Sequence, residues 1–173
     1  LTDKNGLSLR NYQINAIKAV EEAILRGDKR ALLVMATGTG KTRVAVGLSY
    51  RLIKSNRFRR ILFLTDRRTL AEQAGDDFDD YKIENFNTFA DIYKINKLGK
   101  QDTEVETRIQ FATVQSMVKR LFYATDDKKN QLSIDTYDCI IVDEAHRGYN
   151  EDKQLNEEDL SFRDQADYVG QYK

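Results

Sequence analysis

The 173-residue chain is long enough for one domain with its own hydrophobic core and too short for two ordinary domains. Lysine plus arginine and aspartate plus glutamate both number 28, which excludes an overall basic charge, so any nucleic-acid site must be local. No run approaches the ~18 apolar residues of a membrane span, and one cysteine excludes an internal disulfide, so we expect a soluble protein from a reducing, cytoplasmic compartment and no membrane partner.

The first third of the chain predicts a helix, a buried strand and a second helix. Residues 11–26 place apolar side chains at helical spacing, and Gly27 is suited to end the helix. The apolar run Ala31–Ala36 predicts a strand buried on both faces, as in parallel sheets. After a glycine-bearing loop, the second helix carries an apolar stripe of Val44, Leu48 and Leu52.

The next elements are a strand and a helix joined by a short basic loop. Ile61–Thr65 is again continuously apolar. Thr69 to Glu72 have the spacing of a capping box, which predicts a third helix starting there, with Leu70, Ala74 and Phe78 on one face. Arg67 and Arg68 are therefore expected in the loop between strand and helix.

The second half is read less completely. Residues 81–106 have no sustained period, apart from a predicted turn at 99–102. Residues 108–113 predict a strand, 114–124 a helix, 125–130 a charged loop and 137–142 a third strand buried on both faces. From Arg147 the composition is strongly polar, and 151–160 is expected to be a solvated surface segment.

Alternating strands and helices predict an α/β fold, a parallel sheet flanked by helices. The carboxyl ends of its strands meet at one edge, where ligands bind in such sheets. Four loops, at 37–42, 66–68, 113–115 and 143–146, each follow a predicted strand. We therefore expect these loops to lie together at one edge of the sheet.

The loop at 37–42 has the pattern of a phosphate cradle. Gly38 and Gly40 allow successive backbone N–H groups to face an anion, and the following helix adds its positive end. In a loop of this type the lysine, here Lys41, reaches the β- and γ-phosphates of a nucleoside triphosphate, and the hydroxyl of the next residue, here Thr42, holds Mg²⁺. The strict pattern requires glycine at position 35, where this chain has methionine.

The Asp-Glu-Ala-His run at 143–146 supplies the complementary groups for phosphoryl transfer to water. Asp143 would share Mg²⁺ with Thr42, and Glu144 is the candidate base for the attacking water. His146, the only histidine, could sense the γ-phosphate or couple the site to bound nucleic acid. Taken alone, Asp143 and Glu144 could also be an acidic strand end in solvent.

The motifs at 35–42 and 143–146 resemble motifs I and II of superfamily 2 helicases and translocases, in which methionine at position 35 is a familiar variant. Residues 63–74 resemble motif Ia of this superfamily. Residues 111–117 and 162–168 resemble segments of the motor (R) subunit of type I restriction enzymes, and residues 9–13 resemble an adenine-reading element. The resemblance implies a P-loop NTPase, specifically the first RecA-like ATP-binding domain over 1–173, incomplete before motif III.

The resemblance also implies an ATP-driven, Mg²⁺-dependent translocase on double-stranded DNA. ATP would be held by Gln13 and by the six loop residues Thr37, Gly38, Thr39, Gly40, Lys41 and Thr42. DNA would be contacted by Arg67, Arg68, Thr113 and Gln115. Expected partners are a second RecA-like domain of the same chain and methylation and specificity subunits, in a bacterial or archaeal cytoplasm. A nuclease domain is expected upstream. Without the second domain's arginine finger, we expect the isolated fragment to bind nucleotide weakly and hydrolyse it near background.

Several alternatives remain open on the residues alone. Gln13 could be an ordinary surface amide, Arg67 and Arg68 exposed loop charges, and Thr113 and Gln115 hydrogen bonders at a strand end. At the level of function, the alternatives are an RNA helicase or another superfamily 2 helicase, and a nucleotide-binding switch that does no mechanical work. The sequence Thr-Asp-Arg-Arg-Thr-Leu at 65–70, where a proline-containing motif is expected, argues against the RNA helicase.

Overall fold

The computed structural model describes residues 6–97, 106–122 and 135–145. The elements in chain order are α1 (Asn11–Leu25), α2 (Lys41–Lys54), β1 (Ile61–Thr65), α3 (Arg68–Asp80), β2 (Lys82–Glu84), β3 (Asn87–Thr88), α4 (Phe89–Ile92), β4 (Lys94–Asn96), β5 (Thr107–Thr113), α5 (Val114–Phe122) and β6 (Cys139–Val142). Our predictions for 99–102, for the loop at 125–130 and for everything from His146 onward lie outside the described residues.

The predicted parallel sheet is confirmed. Its four strands lie in the order β4-β5-β1-β6, and every pairing is parallel. Ile61 of β1 lies opposite Ile109 of β5 on one side and Cys139 of β6 on the other. The carboxyl ends of β5, β1 and β6 therefore form one edge, in that order. The strands β2 and β3 make a separate antiparallel hairpin.

An aromatic cluster between the sheet and α3 forms the centre of the main core. The ring centroid of Phe78 on α3 lies 5.1 Å from those of Phe89 and Phe111, both in edge-on geometry. Phe63 of β1 completes the cluster, and all four rings are at most 2% exposed. Burial of each such ring stabilises the fold by about 1.5–3 kcal/mol. A smaller cluster of Leu62, Ala112 and Met117 packs on the opposite face.

The first two predicted helices are confirmed. Val44, Leu48 and Leu52 are all buried on α2, and α1 ends before Gly27, which has φ +90°. On the other side of the sheet α5 begins as predicted and buries Met117, whereas its Leu121 is 49% exposed. No helix in the described part of the chain is long and apolar enough to cross a membrane.

The predicted capping box at 69–72 is wrong. The helix α3 begins at Arg68 with Arg67 as its N-cap residue, and the first bond of the helix runs from the Ala71 N–H to the Arg67 carbonyl. Thr69 is therefore already inside the first turn. The carboxylate of Glu72, which the box requires at the helix start, instead accepts from Arg68 Nε at 3.2 Å.

The predicted strand at 31–36 is also wrong. This run is not in a strand, and Leu32 and Val34 are 79% and 87% exposed. A strand exists only where a neighbouring strand completes its backbone hydrogen bonds, and none of the described strands pairs with this run. The continuous apolar character of the run led us to expect burial, but it does not indicate whether a neighbouring strand is present.

The third predicted strand is confirmed only in part. It is shorter than predicted, beginning at Cys139, and it is not buried on both faces, since Ile140 and Val142 are 59% and 38% exposed. The reason is its place in the sheet: in the described part of the chain β6 pairs only with β1 and is an edge strand. Segment 81–106, for which periodicity gave no prediction, contains β2, β3, α4 and β4.

Candidate functional site

The phosphate loop is a tight turn that leads directly into α2. Gly38 and Gly40 have φ of +78° and +81°, which other residues adopt only with strain, and Gly40 is the N-cap residue of α2. The Thr39 N–H and hydroxyl both donate to the Ala36 carbonyl, at 3.3 and 2.6 Å. The loop therefore has the glycine conformations and the adjoining helix start that anion binding requires, although no strand precedes it within the described residues.

Lys41 and Glu144, which the sequence assigns to phosphate binding and to base catalysis, are in contact. The Lys41 ammonium donates to Glu144 Oε1, and the two side chains are only 31% and 16% exposed. These residues lie 103 positions apart in the chain. The contact brings the phosphate loop to the carboxyl end of β6, so the two loops meet as predicted.

Asp143 is held in place by the neighbouring strand. Its N–H donates to the Leu64 carbonyl of β1 at 2.8 Å, and its Oδ1 accepts from the Glu144 N–H at 3.0 Å. Glu144 has φ +52°, an uncommon left-handed conformation for a residue with a side chain. The two adjacent carboxylates are thereby turned toward different partners at the same strand end.

The two residues expected to hold Mg²⁺ are Thr42, which offers a hydroxyl, and Asp143, which offers a carboxylate. Thr42 is half-buried in the first turn of α2, and Asp143 is half-buried after β6. Among the described residues there is no cluster of three or more histidine, cysteine, aspartate or glutamate side chains that could enclose a metal. Mg²⁺ prefers oxygen ligands, keeps several waters and uses one or two carboxylates, so this pair of residue types fits it.

Gln13 is a buried residue that braces the phosphate loop. It is 3% exposed, its Nε2 donates to the Thr39 carbonyl at 2.9 Å, and its Oε1 accepts from the Arg10 N–H at 2.9 Å. The alternative of an ordinary surface amide is therefore wrong. A Cβ at position 40 would come within 2.6 Å of Gln13 Nε2, so a side chain there would displace this amide in addition to adopting an unfavourable φ.

Sequence reasoning did not identify Tyr12 as a site residue. Its hydroxyl donates to the same Thr39 carbonyl at 2.9 Å, while the residue as a whole is 43% exposed. An exposed tyrosine in the first turn of an amphipathic helix has no periodic signal that separates it from a solvated side chain. Only the three-dimensional contact reveals it.

The four candidate DNA contacts lie at the same edge of the sheet, beyond β1 and β5. Arg67 is exposed, with its Nε 3.9 Å from Asp66, and Arg68 forms an exposed pair with Glu72. The Thr113 hydroxyl accepts from the Ser116 N–H at 3.2 Å, so it has a structural role at the start of α5. Gln115 follows in the first turn of α5 and is half-buried.

Five basic residues lie between positions 51 and 60, namely Arg51, Lys54, Arg57, Arg59 and Arg60, and at least two of them are paired within the protein. Arg51 pairs with Glu21 through two bonds of 2.5 and 2.9 Å, and Lys54 pairs with Glu84. These pairs line an open cavity of about 390 Å³ beside the last turns of α2. At 1.5 Å per residue, the residues of α2 and its C-cap that line this cavity, Gly47 to Ser55, lie roughly 9–21 Å from Lys41 along the helix, and none of them belongs to the phosphate loop.

Cys139 packs as a small apolar residue in β6. It is half-buried and contacts the main core. Burial, assisted by the nearby Asp138 charge, raises the pKa of its thiol to about 11. The thiol therefore stays protonated near neutral pH, as expected for a structural cysteine.

Three relatives are similar to almost the whole chain but are much longer than it. The EcoKI type I restriction enzyme endonuclease subunit of Escherichia coli K12 is 51% identical over 167 residues, which cover 96% of this chain and 14% of that protein. The EcoAI endonuclease subunit of Escherichia coli is 35% identical over 97% of this chain and 19% of that protein. The putative ATP-dependent helicase IRC3 of Saccharomyces cerevisiae is 33% identical over 80% of this chain and 19% of its own length.

The chain thus spans less than a fifth of these relatives, and the matched part contains both the phosphate loop and the Asp-Glu-Ala-His run. The family model described as "Type III restriction enzyme, res subunit" matches residues 6–169. This range includes every element that the structure describes. The chain therefore belongs to the type III restriction enzyme res subunit family, a family of helicase-like domains.

Proposed function

We propose that this chain is the first RecA-like ATP-binding domain of a DNA translocase, the motor of a type I restriction endonuclease R subunit. The observation that carries the proposal is the contact between Lys41 and Glu144 across 103 positions of sequence. It joins a phosphate loop to an acidic strand end on the edge where parallel sheets bind ligands. The similarity to two type I endonuclease subunits supports the restriction system as the setting.

The residues divide the chemistry of ATP hydrolysis between two loops. Lys41 and the N–H groups of the phosphate loop would neutralise the β- and γ-phosphates, and Thr42 and Asp143 would hold Mg²⁺. Thr42 and Asp143 would thereby place a positive charge beside the phosphates, where it would offset the negative charge that develops during transfer. Glu144 would orient the attacking water and accept its proton. Gln13 would contact the adenine ring only after turning its Nε2 from the Thr39 carbonyl, which it bonds in this structure.

The observed ion pair sets a requirement on this mechanism. The Lys41 ammonium, which would bind the β- and γ-phosphates, is engaged by Glu144 Oε1 in this structure. Lys41 would therefore exchange Glu144 for phosphate oxygens when ATP binds. The exchange replaces one anion by another at the ammonium, so the charge of Lys41 remains compensated.

Duplex DNA would lie along the edge beyond β1 and β5. Arg67 is exposed there and free to turn toward a phosphate, and Thr113 and Gln115 lie on the adjacent strand end. In the full-length protein, we expect a second RecA-like domain to complete the ATP site, with methylation and specificity subunits as partners. Residues 1–173 alone should bind ATP weakly and hydrolyse it near background. DNA cleavage is likewise proposed for the full-length protein only.

The decisive experiment measures ATP hydrolysis by the full-length protein with duplex DNA, with RNA and with neither. Stimulation by duplex DNA is expected. Glu144→Gln should lower kcat by about 10²–10⁴-fold while ATP still binds, because a positioned base contributes that much. Lys41→Ala should abolish hydrolysis together with binding. Glu22→Gln on the exposed side of α1 and the exposed Lys29→Ala serve as matched controls and should leave turnover unchanged.

The other outcomes select other functions. Stimulation by RNA alone would favour an RNA helicase, and turnover indifferent to both nucleic acids would favour an ATP-dependent switch. The match to a putative ATP-dependent helicase of yeast makes a helicase outside restriction systems the second candidate. Strand separation without restriction activity in the full-length protein would support that candidate instead.

A further inference from the structure

The Thr39 carbonyl receives two hydrogen bonds from neighbouring residues of one helix. Tyr12 OH and Gln13 Nε2 both lie 2.9 Å from this oxygen. A carbonyl oxygen has two lone pairs, so these two donors fill its hydrogen-bonding capacity. On the inner side of the same residue, the hydroxyl and N–H of Thr39 both bond the Ala36 carbonyl. The residue is thus fixed from both sides.

The direction of this carbonyl decides the direction of the next N–H group. In a planar trans peptide the C=O of Thr39 and the N–H of Gly40 point in opposite directions. Holding the carbonyl toward Tyr12 and Gln13 therefore turns the Gly40 N–H away from α1. Gly40 has φ +81° and can adopt the geometry that this orientation requires.

We propose that Tyr12 is a positioning residue for phosphate binding: its hydroxyl holds the Thr39–Gly40 peptide so that the Gly40 N–H faces the anion. This inference rests on the proposed function, since it requires the loop to bind a nucleotide. Gln13 shares the task, but both ends of its amide are used, by Arg10 and by Thr39. If its Nε2 turns to the adenine ring, Tyr12 is the donor that still holds the loop.

The test separates phosphate binding from base binding in the full-length protein. The affinities of the wild type and of Tyr12→Phe are measured for Mg²⁺-tripolyphosphate, which has no base, and for Mg²⁺-ATP. Tyr12→Phe keeps the ring and removes only the hydroxyl. We expect both affinities to fall by the same factor, about 2- to 12-fold, which corresponds to one hydrogen bond. Tyr93→Phe is the matched control, because its ring packs on Phe89 and Tyr50 instead.

The possible results separate this inference from the proposed function. Equal affinities of Tyr12→Phe and wild type for both ligands would overturn the positioning role while leaving the nucleotide site intact. A loss for ATP alone would also overturn it and make Tyr12 a contact of the base. A wild-type protein that binds neither ligand would instead refute the proposed function. An equal loss in Tyr93→Phe would show a general effect of tyrosine removal and overturn the inference.

Discussion

Gly40→Ala should destabilise the phosphate loop through two separable effects. Alanine at φ +81° adopts the left-handed conformation at about 1–2 kcal/mol. Its Cβ would also lie 2.6 Å from Gln13 Nε2 and displace the amide from the Thr39 carbonyl, a loss of about 0.5–1.5 kcal/mol. Gly38→Ala is the matched control, because it has φ +78° and an added Cβ would meet no atom within 4 Å. The difference between the two variants therefore isolates the contact with Gln13.

Amide hydrogen exchange over residues 37–46 of the full-length protein measures this difference. The Val44 N–H, bonded to the Gly40 carbonyl at 3.1 Å, reports on the first turn of α2. Exchange should be about 5- to 30-fold faster in Gly38→Ala than in the wild type, and about 2- to 12-fold faster in Gly40→Ala than in Gly38→Ala. In a Gln13→Ala background the two variants should become equal. Equal rates with Gln13 present, or a difference that persists without it, would refute the reasoning.

Two further outcomes follow from other parts of the molecule. Arg67→Ala should lower the magnitude of the slope of log affinity for duplex DNA against log salt concentration by about 0.9, the value for one phosphate contact. Arg26→Ala is the control, because Arg26 is paired with Asp28, and should leave the slope unchanged. Identical slopes for the wild type and Arg67→Ala would exclude this contact. At pH 8 the Cys139 peptide should be alkylated about 100-fold more slowly in the native than in the denatured protein, because the thiol pKa is raised from 9.0 to about 11. Alkylation of the native protein as fast as that of the denatured protein would instead show that the thiol is accessible and ionised. The same pKa shift stabilises the folded state fully below pH 9, and this stabilisation is lost as the pH rises toward 11.

Helical periodicity predicted the helices well because it reports a property of each segment alone. The spacing of Val44, Leu48 and Leu52 places them on one face of α2 without reference to any other segment, and all three are buried. Strand environment depends on neighbours, which no single segment encodes. Ile140 is exposed because β6 is an edge strand in the described part of the chain, although its sequence is as apolar as that of the central strand β1.

Short elements depend on backbone conformations that the sequence does not signal. In the β2–β3 hairpin, Asn85 and Phe86 both adopt positive φ, of +47° and +66°. Asparagine is common in that conformation, but phenylalanine is not, so a search for asparagine-glycine turns would miss this hairpin. Competition between side chains is equally invisible, as in α3, where Glu72 bonds Arg68 rather than capping the helix at Thr69.

The approach of the phosphate loop to the Asp-Glu-Ala-His run could be predicted from the sequence, whereas the hydrogen bond from Tyr12 to the phosphate loop could not. Lys41 ends a glycine-spaced loop and Glu144 lies in an Asp-Glu-Ala-His run; these two patterns together predicted that the loops meet, and the structure brings the two side chains into contact. The bond from Tyr12 to Thr39 depends on the angle at which α1 crosses the loop. That angle results from packing between α1 and α2 and cannot be read from either segment.

The separation of Lys41 and Glu144 also has a consequence during protein synthesis. A ribosome that adds about 5–20 residues per second needs roughly 5–20 s to pass from one residue to the other. During that interval the phosphate loop has emerged without its acidic partner, and the apolar side chains of Leu32 and Val34 precede it on the nascent chain. The Lys41–Glu144 contact can therefore form only after β6 has been synthesised, whereas Leu32 and Val34 are exposed in the folded chain as well.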